Sequence, residues 1–313
     1  MELWCPDLDA AIAFYVDELG FRLDMIMPAD APRIAVLSGH GISIRLEAAT
    51  GSANTSAIEV PDDAQLVRIV RSAGDDAWIR GRAGMHYRDL VPGRMGGRFI
   101  ASHIRIDEGG PVPDYVHYHR VRFQMIYCRR GWVRVVYEDQ GEPFVMQTGD
   151  CVLQPPQIRH RVLESSAGLE VIEIGCPAEH ETLRDHDMSL PTRDLRAERP
   201  FDGQKFQRHE AGASVWQRDA KAGVAFRDLG IARATAGLAS ARVWRLNGDR
   251  IALGHDGEFR FVMVLSGQIA LNSASAGVHI LENDDACTIP AGELLYAEAK
   301  SDCELLEVSL PAR

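Results

Sequence analysis

The 313-residue chain predicts a mainly β protein, in which two tandem jelly-roll barrels follow a small α+β module of strand, helix and three strands. Three observations predict it. From about residue 64, short β-branched and aromatic runs are punctuated by Gly, Pro or Asp at intervals suited to a double-sheet roll. The last third of the chain repeats that pattern. Near the start, a single amphipathic helix precedes three short β-like runs.

The helix is read from Asp7 and Asp9 as N-cap options, apolar residues at Ile12, Tyr15, Val16 and Leu19, and Gly20 as the stop. Phe21 to Ile26, Arg33 to Leu37 and Ile42 to Glu47 then read as strands, the last two joined by the turn Ser38-Gly39-His40-Gly41. Residues 1–48 form this module, and 49–63, rich in Ala, Gly, Ser, Thr and Asp, read as a linker. Residues 64–176 carry the first barrel, with runs at Phe99 to Ile106, Val121 to Cys128, Trp132 to Tyr137, Cys151 to Leu153, His160 to Leu163 and Leu169 to Ile174. A charged connector spans 177–200, and 201–313 form the second barrel.

Composition is that of an ordinary globular protein, 46% hydrophobic and 25% charged. A net charge of −11 argues against nucleic acid or an anionic membrane as partner. Without a long apolar run or signal-like start, a cytoplasmic location is the expectation. Six scattered cysteines read as reduced, buried thiols, so the sequon Asn54-Thr55-Ser56 carries no weight. His180 and His186, within the acidic run Glu179 to Asp187, read as part of a solvated linker.

The chemistry concentrates in Gly110-(x)6-His117-x-His119-(x)4-Gln124-(x)6-Gly131, followed by Gly149-(x)5-Pro155-(x)4-His160. His117 and His119 alternate along a strand, so both imidazoles leave one face of a sheet about 7 Å apart. With His160 and Gln124 from other strands they form a candidate site for one divalent transition ion. Fe, Mn, Ni, Co or Zn all suit such nitrogen and amide ligands. Three buried imidazoles without partners would be costly, which favours ligation.

This spacing resembles the two cupin motifs, matching at His117, His119, Gly131, Gly149, Pro155 and His160. It departs at Gln124, where the family has a glutamate, and at Gln157, where it has a glycine. Aligned by Gly267 on Gly131, the second barrel places Leu253, His255, Arg260 and Leu295 at the ligand positions, so it resembles a cupin barrel that has lost its ion, as in bicupins. His255 is then a structural or pocket histidine. The N-terminal run from Asp9 to Phe21 resembles a single βαβββ module of the glyoxalase/bleomycin-resistance (vicinal oxygen chelate) family. Glu47 falls at that family's glutamate position, but no histidine accompanies it, so packing or dimer formation is the expected role.

The pocket expected above the metal is lined by Ile126, Cys128, Val135, Tyr137 and Val162, with Arg122 as a possible contact to substrate. Tyr115, Tyr118 and Arg105 lie near the site in sequence, but the outer surface or barrel wall is favoured for them. Gln124 either binds the ion or hydrogen-bonds a metal-bound water or neighbouring histidine. Three histidines without a carboxylate leave the ion's charge at +2, which calls for an anionic small-molecule substrate. They also resemble the three-histidine dioxygenases of the cupin superfamily. The leading expectation is a non-haem Fe(II) dioxygenase acting on a small acidic or aromatic, enolisable compound. A Zn, Ni or Mn isomerase, lyase or hydrolase is the second expectation, and a small-molecule sensor the third. A homodimer is the expected assembly.

Overall fold

The computed structural model describes residues 1–49, 66–72, 78–81 and 84–311. Apart from Ala49, the expected linker lies outside the described residues, as does the sequon at Asn54. The architecture is mainly β, with two jelly-roll barrels packed through one shared core. No helix among the described residues is long and apolar enough to cross a membrane.

Asp7 caps the helix, its carboxylate accepting from Ala10 N at 2.9 Å, and the helix runs Leu8–Ala13 before widening over Phe14–Glu18. Gly20 at φ 68° ends it in the left-handed region that L side chains avoid. Its apolar stripe covers one face of a four-stranded sheet ordered Glu2–Cys5, Ile42–Ala48, Ile34–Gly39, Arg22–Met27. This sheet does not stop at the module. Arg22–Met27 pairs with Thr182–Arg184, which pairs with His117–His119, which pairs with His160–Ser165. The stretch 177–200 is therefore more than a connector, because it supplies the strand that welds the module to the first barrel.

The first barrel closes with a second sheet built on Ile100–Ile106, Phe123–Arg130, Cys151–Leu153 and Leu169–Cys176. The second barrel has sheets built on Ser240–Asn247, Phe259–Ser266 and Asp302–Leu310, and on Ile269–Ser273 and Leu295–Ala299. Both barrels exchange edges. Arg68–Val70, ahead of the first barrel, pairs with Ala286–Thr288 of the second, and Gln207–His209 pairs with Cys151–Leu153 of the first. Strands thus cross in both directions between the stretches 64–176 and 201–313.

Between the barrels, one face of each large sheet contributes to a continuous core that includes Phe123, Met125, Ile172, Ile174, Phe259, Phe261, Met263 and Val308. Phe99 and Phe259 stack there at 4.4 Å between ring centroids. All six cysteines are buried and none forms a disulfide.

Candidate metal centre

His117 and His119 leave the same face of their three-residue strand, and His160 opens the neighbouring strand directly opposite His117. All three are buried, and one ring nitrogen of each lies within 4.8 Å of the other two. Their second nitrogens are engaged. His117 Nδ1 donates to the Tyr115 carbonyl at 2.8 Å and His160 Nδ1 to the Ile158 carbonyl at 3.0 Å. His119 Nδ1 meets the Thr182 hydroxyl at 2.9 Å. A carbonyl only accepts, so Nδ1 carries the proton in His117 and His160, and Nε2 is the unprotonated ring nitrogen of each. Asp114 backs His117 at 3.5 Å from Nδ1, while its other oxygen takes the Val162 amide at 2.9 Å.

The donor set fits a first-row divalent ion. Metal–imidazole bonds of about 2.1 Å put three ligand atoms at most about 3.6 Å apart around one ion, so a trio within 4.8 Å closes on one with movements of under about 1 Å each. Among the described residues, no other group of three His, Cys, Asp or Glu converges in this way. Glu47 is instead paired to Arg45 at 2.7 Å.

Gln124 is brought into the same cavity, where its amide donates to Glu173 Oε1 at 2.5 Å. A second amide stands closer to the trio, with Gln154 Nε2 2.8 Å from His160 Nε2. Gln154 is buried, and its assigned N and O are interchangeable by a flip that would turn an oxygen on the centre. Glu173 and Gln154 escaped sequence reasoning. Glu173 could have been noticed as one of two charges, with Glu170, in an otherwise apolar strand, Leu169 to Ile174, but its direction depends on cross-strand register. Gln154 is marked only by the strand end and the two prolines after it.

The cavity above the histidines is about 100 Å³. Ile126, Val135, Tyr137 and Val162 line it, joined by Tyr87, Ile104, Val171 and, from the N-terminal module, Ala29. Tyr137 stacks on His160 at 5.5 Å, and burial pushes its hydroxyl pKa far up, so it stays protonated. Cys128, expected on this wall, lies instead among the core side chains beneath it, and its Sγ is directed at the Gly131 carbonyl at 3.6 Å. Burial, with Asp150 adding repulsion, raises that thiol to about 12, so it is inert. Arg122, expected as a substrate contact, sits just outside the strand and forks onto Glu258 of the second barrel at 2.7 and 3.0 Å. Tyr118 and Arg105 face outward, under Arg159 and against Trp78 respectively. Tyr115 packs edge-on against His117.

His180 corrects the linker reading. It is buried, its ring centroid 5.3 Å from that of His119, and its Nδ1 bonds the Pro177 carbonyl. His186 bonds Asp24 of the module at 3.1 Å. Gln157 takes φ 61°, the left-handed conformation that a glycine supplies in the usual motif, and donates its amide to the His119 carbonyl at 3.0 Å.

Residues 102–175 match the family model of the cupin domain. A sequence search of curated proteins finds no match. Among solved structures, the fold is similar to an oxalate decarboxylase from Bacillus subtilis at TM-score 0.55 and 12% identity, covering 74% of this chain and 73% of that one. It is also similar to the formate complex of an oxalate decarboxylase from Lactobacillus farciminis, at TM-score 0.56 and 12% identity over 80% and 87% of the two chains. The fold is that of a bicupin. The second barrel repeats the first in detail: Gly292 N donates to the His255 carbonyl as Gln157 N does to His119, and Gly267 turns after its strand as Gly131 does. The His255 ring is spent on structure, meeting the Ile289 carbonyl at 2.7 Å and the Gly257 amide at 3.1 Å.

Proposed function

We propose that the first barrel is the active site of a metal-dependent enzyme acting on a small carboxylic acid, with one divalent transition ion held by His117, His119 and His160. The observation that carries this reading is the convergence of three buried imidazoles whose Nδ1 atoms are engaged and whose rings line a largely apolar cavity. Iron(II) is the ion we favour, with Zn, Ni, Mn or Co compatible with the same donors. Such an ion, when bound, supplies Lewis acidity and, as iron, a place for dioxygen chemistry.

The chain's own residues set the rest. Apolar walls from Ile126, Val135, Val162 and Val171 keep water out and strengthen charge interactions inside. A cavity of about 100 Å³ is smaller than the roughly 150 Å³ that admits a benzene ring. Acids of a few carbons are therefore favoured over aromatic ones. The Gln124 and Gln154 amides are placed to hydrogen-bond a carboxylate oriented by the ion, and Glu173 to hold or pass a proton at Oε1.

Within this reading we favour an Fe(II) dioxygenase on an enolisable small acid, because the histidines bring no carboxylate to the centre. A redox-neutral lyase is the second reading, favoured by Glu173 as an acid–base group and by the decarboxylases that share the fold. Elemental analysis of purified protein, then oxygen uptake and carbon dioxide release over oxalate, pyruvate, acetoacetate and simple diketones, tests both. Oxygen consumed in step with substrate by iron-loaded protein is the expected result. Carbon dioxide released without oxygen consumption moves the assignment to the lyase, and no turnover with any of the five metals overturns the enzymatic reading.

A further inference from the structure

The mouth of the second barrel holds a cavity of about 540 Å³, several times that at the histidines. Its floor is the apolar filling of that barrel, with Trp244 lying between floor and cavity. Alternation puts Ser240 and Arg242 on the same face of their strand as Trp244 and Leu246, directed into the barrel. Counting from the paired turn glycines Gly131 and Gly267, Arg260 occupies the place of Gln124. Cross-strand register then makes Glu307, opposite Val262, the counterpart of Glu173, opposite Ile126. The pair at the metal cavity has become an ion pair, with Arg260 Nε 3.4 Å from Glu307 Oε1.

Charge in this cavity is not balanced. Lys221, Arg242, Arg250 and Arg260 line it against two carboxylates, Asp219 and Glu307. Both carboxylates are already engaged. Glu307 takes Arg260 and the Trp244 Nε1–H, and Asp219 accepts the backbone amides of Lys221 and Ala222 at 2.9 and 2.7 Å. Arg242 is held between the rings of Phe226 and Trp244, 5.2 Å from each centroid, and Arg250 lies 3.9 Å over Tyr296. Among the described residues neither guanidinium has a carboxylate oxygen within 4.0 Å. In a chain of net charge −11, two pre-positioned guanidinium forks facing one cavity, neither in contact with a carboxylate, form a local anion trap.

We propose that this cavity is a second ligand site, binding a small organic di- or tricarboxylate through Arg242 and Arg250. Planar forks match carboxylates two oxygens at a time, and rings behind each fork fix its plane. Arg260 is excluded as a principal contact, because it is spent on Glu307 and on the Leu253 and Gly254 carbonyls. The site stands apart from the histidines and needs no metal, so it does not depend on the function proposed above.

Calorimetric titration of the full chain with succinate and with tricarballylate, at low and at moderate salt, tests it. One tricarballylate per chain is expected, weakening as salt rises, with inorganic phosphate binding more weakly. Arg250→Gln, at an exposed position that folding does not need, is expected to weaken it about tenfold or more, the scale of one charge-assisted hydrogen bond. Arg242→Met, which keeps the packed stem, should do the same, and His119→Ala should leave affinity unchanged. Absence of binding at millimolar concentration, affinity unchanged from the parent in both arginine variants, or loss of binding in His119→Ala would overturn the proposal.

Discussion

Thr182→Val removes one hydroxyl from a position that is 1% exposed and should cost the site most of its grip on metal. That hydroxyl lies 2.9 Å from His119 Nδ1 and is the contact holding the ring's outer nitrogen. Valine has nearly the same shape and no polar atom, so the imidazole would keep its space and lose that hydrogen bond. A buried donor left unpaired costs about 1–3 kcal/mol. Outer partners of metal-bound histidines are worth about 10- to 100-fold in affinity, or about 1.4–2.8 kcal/mol, which agrees. At a metal concentration 100 times the parent Kd, binding stabilises the fold by about 2.7 kcal/mol. In the variant the same concentration should give only about 0.4–1.4 kcal/mol. Competition against a chelator of known affinity measures the Kd, and melting with and without metal measures the linked stability. Thr182→Ser, which keeps the hydroxyl, should stay near the parent. A valine variant within twofold of the parent Kd would refute the idea that this bond orients His119.

Other perturbations separate the site from its scaffold. Phe259→Ala removes a ring stacked on Phe99 in the core between the barrels and should cost about 3–5 kcal/mol, with one cooperative transition retained when unfolding is followed by both fluorescence and circular dichroism. Arg122→Ala breaks a pair whose side chains are about a quarter exposed, so the loss should be about 1 kcal/mol or less, with catalytic constants unchanged; a raised KM would return Arg122 to the substrate. Glu173→Gln should leave metal content intact, read by elemental analysis, while lowering kcat about tenfold or more. His209 has its pKa lowered by burial, with Arg227 adding repulsion. The unfolded chain therefore binds the extra proton first as pH falls below about 6.5, and stability should drop from there down to the folded pKa. Denaturant midpoints between pH 7.5 and 5 should show that drop, and His209→Gln should flatten it.

What was readable in the sequence follows from parity, and what was missed follows from depth and register. His117 and His119 could be placed on one face because two residues along a strand always return to the same side. The same rule predicted the direction of Ile126, Val135 and Val162 once Gln124 was taken as inward. It gave no depth, so Cys128, on the correct side, fell below the cavity floor. Arg122 has the right parity too, but it precedes the first paired residue, Phe123, and there the chain has already left the barrel for the second one. Parity applied to Glu179, His180, Glu181 and Thr182 would have rescued His180. The two glutamates point out to Arg33 and Arg120, while His180 and Thr182 point in at His119. A charge run can be one face of a strand. Glu173 needed a pairing between strands nearly fifty residues apart, which no local pattern encodes.

The small N-terminal module acquires a reason from that same pairing. Its edge strand holds Thr182 through the register of Ile26, and Thr182 in turn stands beside His119. Three side-chain links reinforce the joint: Arg33 to Glu179, Asp24 to His186, and Asp30 to Arg94. Ala29 completes the cavity wall. Without the module, the strand 182–184 would be an unpaired edge, and its position, hence that of the hydroxyl on His119, would be set by one neighbour only. The module thus serves the first barrel as the outermost support of a ligand strand. This accounts for the small module being joined, through a continuous sheet, to the barrel that holds the three histidines.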